Sequence, residues 1–284
     1  MNWMVASGLM VVCSLVLYLL ARKSSLLKNS TEFTNLAMYL VPTILFIIVA
    51  LVQQVDLTVT PYQLLILLVF SVCFGWLGNV ASLKSIEVAP NPGYSLIISK
   101  SYVLMTTVVA YLAFGAELSI KSGIAILVII SGTLLLSIGK STNDNVKKSW
   151  LPLSLLAFLC WGMLSITSKY LHNIGVGVVT LLVYMNVIVT SIIGVELKFK
   201  KSLGSINIRQ VMLLVVMGVA AAGFDYFMQQ ALITAPNIGY VNAINAGSIT
   251  LVTIGSIILY KDELNWRKML GVLIATAGLA LLVL

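Results

Sequence analysis

Charge is what this chain has least of. Only 9% of its 284 residues are Asp, Glu, Lys or Arg, while 60% are hydrophobic; a soluble domain has roughly a quarter of its residues charged. That balance excludes an ordinary soluble globular protein. Histidine occurs once, at His172, and cysteine three times, at Cys13, Cys73 and Cys160. One imidazole and three dispersed thiols make no metal-ligand spacing, and an odd number of cysteines inside apolar runs is read as free thiols acting as small apolar side chains. No glycine-rich phosphate loop, nucleophile–base pair or histidine-based motif is present, so no catalytic set, metal or cofactor is expected. The net charge of +8 is no sign of nucleic acid, because the basic residues gather in short loops between apolar segments.

What is present in abundance is apolar sequence in runs of about 20 residues, enough to cross a hydrocarbon core of roughly 30 Å. Ten such spans are predicted, at about 3–21, 34–53, 63–86, 93–114, 119–138, 150–171, 177–197, 210–234, 238–259 and 267–284. The first has no charged start and no small-residue cleavage site, so it reads as a retained helix and not a signal peptide. The expected fold class is therefore all-α and integral to the membrane, with the lipid bilayer as its surroundings.

The chain repeats itself. A shift of 146 aligns 89–138 with 235–284 without a gap and gives 13 identities in 50 positions. Ala89, Pro90, Asn91, Gly93 and Tyr94 match Ala235, Pro236, Asn237, Gly239 and Tyr240; Thr107 matches Thr253, Glu117-Leu118 matches Glu263-Leu264, and Gly132 matches Gly278. Earlier spans fit loosely, with Cys13 and Arg22 near Cys160 and Lys169. The expected domains are a first five-helix repeat over 1–140, a linker over 141–146 and a second repeat over 147–284. Five is odd, so the second copy must enter the membrane from the opposite side, as in transporters whose site lies where inverted halves meet. Asn91 and Asn237 suit helix N-caps, Pro92 suits a first helical turn, and Glu117 and Glu263 suit helix starts.

Two further motifs point to a family. Gly115-Ala116-Glu117-Leu118 and Lys261-Asp262-Glu263-Leu264 each precede a glycine-bearing last helix with Gly132 or Gly278, and span 6 carries Cys160-Trp161-Gly162 and Ser168-Lys169-Tyr170. With the ten spans and the repeat, these resemble the EamA-type members of the drug/metabolite transporter superfamily over almost the whole chain. The resemblance implies a secondary transporter, and places spans 5 and 10 at a contact between halves or subunits. It does not name a substrate. One departure stands out: the aromatic usual in the first span is replaced by Cys13-Ser14.

Basic residues suggest the orientation. Loops after odd-numbered spans hold fourteen Lys and Arg, while those after even-numbered spans hold Lys121 and Lys169. This bias places both termini on the outer side of the cytoplasmic membrane.

Charges inside spans mark function most often, because burying them in lipid is costly. Lys100 lies in span 4 and Asp225 in span 8; the shift takes Asp225 onto Asn79 and Lys100 onto Ala246. Around them stand Trp76, Asn79, Ser99, Tyr102, Trp161, Tyr184, Asn186, Tyr226, Gln229, Asn242 and Asn245. The candidate substrate-binding set is Asp225, Lys100, Asn79, Trp76, Trp161, Tyr184, Tyr102, Asn242, Asn245 and Gln229, with Asp225 also the proton-coupling candidate. Asn242 and Asn245 share a helical face, and Trp161 with Tyr184 suits an aromatic wall. The plainer reading is a buried Lys100–Asp225 ion pair holding the halves in register, with the other residues packing helices. Trp150 and Trp266, at span edges, suit interface anchors. The expected activity is alternating-access transport of a small polar or zwitterionic metabolite such as an amino acid, by exchange or proton coupling, with export favoured. The alternatives are a lipophilic-cation, drug or lipid-linked cargo, and a non-transporting membrane scaffold. A monomer or homodimer is expected.

Overall fold

The computed structural model describes residues 1–27, 31–88, 95, 98–137, 149–200, 207–260 and 266–283. The first hexapeptide, the expected linker and the Lys261–Leu264 motif therefore lie outside the described residues. Ten helices follow in order: α1 Trp3–Leu26, α2 Thr31–Val52, α3 over 61–88, α4 Tyr102–Phe114, α5 Ile120–Ser137, α6 Trp150–Asn173, α7 Val178–Lys200, α8 Ile208–Thr234, α9 Ile238–Tyr260 and α10 Trp266–Val283. Seven are long and apolar enough to cross a membrane, and shorter apolar helices over Ile98–Phe114, Ile120–Leu135 and Met269–Leu282 complete the ten. Large apolar residues such as Leu51, Leu112, Ile258 and Leu273 are turned outward, as lipid-facing side chains must be. The protein is an all-α membrane protein.

Local sequence sets the helix ends. Thr60 opens α3: its hydroxyl accepts from the Gln63 N–H at 3.2 Å, and the Gln63 side chain accepts from the Thr60 N–H at 2.9 Å. Asn207 opens α8 in the same way with Gln210, the Asn207 N–H reaching Gln210 Oε1 at 2.9 Å. These are reciprocal capping boxes, 147 residues apart. Gly115 ends α4 in the left-handed region at φ 62°, and the Ala116 N–H turns back to Ala110 O at 3.1 Å. A residue without Cβ suits that turn.

Packing obeys the same internal shift. Thr43 of α2 and Thr190 of α7 are equivalent positions, and their hydroxyls hydrogen-bond to each other at 3.0 Å. Two equivalent atoms in mutual contact lie on the axis relating their halves. In α5 and α10 the contact is reciprocal. A Cβ on Gly132 would meet Ala275, and a Cβ on Gly278 would meet Ile129; Ala275 is the equivalent of Ile129 under the shift of 146. Cys13 of α1 lies against Gly223 of α8, as Cys160 of α6 lies against Gly78 of α3. Thus the first helix of each half packs on the third helix of the other.

Directions alternate as well. Asn242 and Asn245 of α9 meet Thr106 and Tyr102 of α4 in descending order, so these equivalent helices run antiparallel. α5 and α10 also run antiparallel, with 129 against 278 and 132 against 275. By contrast α1 and α9 run parallel: Ser14 meets Ser248 and Leu19 O accepts from the Tyr260 hydroxyl.

The shift is 147 at Thr43, Thr60 and Gln63 but 146 at Gly132. One residue is therefore extra in the first half between 63 and 89. There α3 changes from α-helix (Pro61–Val69) to a π-helical stretch (Phe70–Trp76) and back (Leu77–Val88). A π-turn accommodates one added residue inside a helix, and such turns are frequent at functional sites. This one ends at Trp76, three residues before Asn79.

Candidate functional site

The two intramembrane charges do not pair, and each lies near tyrosines of other helices. Lys100, in the helical residues just before α4, is half-buried and lies near Tyr18 of α1 and Tyr102 of α4. Asp225, midway along α8, is half-buried and interacts with Tyr39 of α2. Tyr18 in turn interacts with Tyr39 and Tyr102. The cluster thus runs Lys100, Tyr102, Tyr18, Tyr39, Asp225, across four helices. No salt bridge joins Lys100 to Asp225 or ties either one to another described residue. A static ion pair, the plainer expectation from sequence, is not formed in this conformation.

Polar side chains of α9 continue the cluster. Asn242 is fully buried; its amide donates to Thr106 Oγ1 at 3.1 Å, and its carbonyl oxygen accepts from Ser165 of α6 at 3.2 Å. Asn245, one turn on, hydrogen-bonds Tyr102. The two asparagines share one face, as their spacing requires, and that face looks at α4. Gln229 of α8 is buried, with one end on His172 Nε2 at 3.1 Å and the other on Ser168 at 3.2 Å. It thereby couples α8 to the end of α6, apart from the Asp225 position.

The remaining candidates differ in how fully they are engaged. Trp76 has a buried indole N–H with no partner, and Asn186 of α7 likewise keeps a buried, unpartnered carbonyl oxygen while its amide holds Leu182 O at 2.9 Å. Unpaired buried polar atoms cost free energy and call for an explanation. Asn79 is half-buried on α3. Tyr184 directs its hydroxyl to Leu57 O at 3.2 Å, tying α7 to the segment before α3. Trp161 is half-buried on α6 and makes no ring contact with Tyr184. Trp266 is exposed and carries Arg267 over its ring at 5.7 Å. Where the usual first-span aromatic is missing, Ser14 bonds Ser248 at 3.1 Å.

Tyr18 and Tyr39 were not among the residues singled out from the sequence. Their signal was weak: tyrosines in apolar helices are ambiguous between lipid interface and interior.

The second hexapeptide is structural. Asn237 caps α9 by accepting from the Gly239 N–H at 2.8 Å, while its amide reaches Glu117 O at 3.1 Å and Thr107 O at 3.4 Å. Tyr240 donates to the same Glu117 carbonyl at 3.0 Å. Gly239 lies so close to Thr107 that any Cβ would overlap it. The motif therefore fastens the start of α9 to the α4–α5 turn of the other half.

Among the described residues, ten helices of alternating direction pack through contacts that recur between the two halves of the chain. Residues 148–284 match the EamA-like transporter family. A crystal structure of a protein 13% identical in sequence superposes with a TM-score of 0.78, covering 98% of this chain and 96% of that chain; at this identity the likeness is one of fold, and it extends over both halves. No curated protein matches. The second half of the chain is thus similar to the EamA-like transporter family, and the shared fold extends over the whole chain.

Proposed function

We propose that this protein is a secondary transporter for a small polar or zwitterionic metabolite such as an amino acid. The carrying observation is that Lys100 and Asp225, opposite charges in helices of different halves, both lie near a run of tyrosines and form no salt bridge with any described residue. Charges left unmatched inside a membrane protein invite a ligand that matches them. A zwitterion does so with one molecule: its carboxylate faces Lys100 and its ammonium faces Asp225. Tyr18, Tyr39, Tyr102 and Asn245 supply hydrogen bonds and aromatic faces between them, with Asn242, Asn79, Trp76, Trp161, Tyr184 and Gln229 as a surrounding shell. Trp76 keeps a free donor for that purpose.

Transport then follows from symmetry. Residues up to 140 and from 147 form two inverted halves, and rocking of one against the other exposes the shared site to each side in turn. Asp225 is the group that exchanges a proton or the substrate's ammonium during that cycle, and export is the favoured direction. The basic residues put both termini on the outer side of the cytoplasmic membrane. The reading is tested by thermal unfolding of purified protein against amino acids, quaternary amines, carboxylates, nucleotide sugars and lipophilic cations. A ligand at 100 times its dissociation constant stabilises by roughly 2.7 kcal/mol. Selective stabilisation by zwitterions, absent in Asp225→Asn and Lys100→Met, is expected. Stabilisation by lipophilic cations alone would replace this substrate class with the drug-type cargo.

A further inference from the structure

A cavity of about 290 Å³ opens where the α4–α5 turn, the α8–α9 turn and the end of α6 converge. It is removed from the Lys100–Asp225 cluster in sequence and in lining. Its walls are apolar at Ala110, Phe114, Ala235 and Ile238, and carry one charge of each sign, Lys169 and Glu117. Lys169 is held in place: its ammonium donates to Leu232 O at 3.1 Å and Ile233 O at 2.8 Å, the last carbonyls of α8. An ammonium has three N–H donors, so one is left for the cavity. Glu117 is exposed on its turn, which Asn237 and Tyr240 fix through its backbone carbonyl. The side chain is not needed for that anchoring. Lys169 and Glu117 form no salt bridge with each other.

A cation fixed by two carbonyls, an exposed carboxylate on an anchored turn and an apolar wall in one small cavity describe the complement of a small amphipathic zwitterion. We propose that this cavity is a second, peripheral binding site for an amino acid with an apolar side chain. Its carboxylate meets the remaining Lys169 N–H, its ammonium meets the Glu117 carboxylate, and its side chain lies on Phe114 and Ile238. The volume stands at the low end of the roughly 300–1,000 Å³ typical of small-molecule pockets, which sets the ligand at about one amino acid. This extends the zwitterion reading of the central site to a place where the same chemistry is met at the mouth, and it rests on that reading for the substrate class only.

The test is equilibrium binding of L-leucine to the full-length protein in detergent, with L-leucinamide and N-acetyl-L-leucine as probes lacking the carboxylate and the ammonium. Binding is measured to the wild type, to a Lys100→Met/Asp225→Asn double variant and to that variant with Glu117→Gln added. The double variant is expected to bind L-leucine, with each truncated probe weaker by about tenfold or more, the loss expected for one charge-assisted hydrogen bond. Adding Glu117→Gln is expected to weaken L-leucine by about the same factor. If the double variant binds no L-leucine, or binds it equally with Glu117→Gln, the peripheral site is refuted. Wild-type binding that disappears in the double variant would then uphold the central site alone. Equal binding to wild type and double variant, lost on Glu117→Gln, would uphold the peripheral site and refute the central one. Should the double variant fail to fold, Glu117→Gln in the wild-type background must lower the number of L-leucine sites; an unchanged number refutes the proposal.

Discussion

The reciprocal contact of α5 with α10 makes a quantitative prediction. A methyl on Gly132 would lie 2.7 Å from Ala275 Cα and 2.8 Å from its Cβ; a methyl on Gly278 would lie 2.7 Å from Ile129 N and 3.1 Å from Ala125 O. The obstructing atoms are largely backbone, so no side-chain rotation relieves the overlap, and the helices must separate by about 1 Å to reach ordinary contact. Overpacking of this kind costs about 1–3 kcal/mol, and the better helix propensity of alanine returns up to about 1 kcal/mol. Gly132→Ala and Gly278→Ala are each expected to destabilise by about 1–2 kcal/mol. The two glycines sit on one contact, three residues from each other's partner. Separation forced by one substitution also relieves the other, so the double variant should lose clearly less than the sum of the singles. Equilibrium unfolding of the four proteins in mixed detergent measures this. Strict additivity, or single variants as stable as the wild type, would show that the helices do not meet at these glycines.

Further expectations follow from other contacts. Asn237→Ala removes the α9 cap and both bonds to the α4–α5 turn and should lower stability by about 1–3 kcal/mol, while Asn237→Asp, which keeps the cap acceptor, should lose less; melting temperatures decide. Thr43→Val, Thr190→Val and the double variant should all fall within about 1 kcal/mol of one another, because one hydrogen bond inside a membrane protein contributes roughly 0.6 kcal/mol. Deleting Cys73 from the π-stretch should restore a regular helix and harm stability less than deleting Val219 from the matching part of α8; the reverse order of melting temperatures would remove the insertion explanation. A cysteine placed at position 2 should react with a membrane-impermeant maleimide in intact cells, and protection there would overturn the assigned orientation.

Much of the fold was legible because lipid imposes simple rules. A span needs about 20 apolar residues, and α1, α2, α6, α7, α8 and α9 begin and end within a few residues of the predicted limits. The repeat was legible from Ala89 and Ala235 onward, and two of its matched glycines, Gly132 and Gly278, line a shared contact. Before residue 89 the match looked only loose. The physical reason is the single extra residue absorbed by the π-stretch of α3, which no hydropathy pattern marks. The candidate site was legible in part. Charges stand out in an apolar sequence, so Lys100 and Asp225 are candidates from sequence alone. Tyr18 and Tyr39 are not, because a helix apolar on every side has no polar stripe to show which face turns inward. Tyr184 and Gln229 drew notice for their polarity, and the structure gives both of them bonds to neighbouring segments.

The central claim is best tested by counterflow in proteoliposomes loaded with unlabelled amino acids and supplied outside with the same compounds in labelled form. The account predicts that at least one amino acid accumulates through the wild type and that Asp225→Asn and Lys100→Met abolish the accumulation while leaving the protein folded. Accumulation that survives both substitutions, or none for any amino acid, would contradict it.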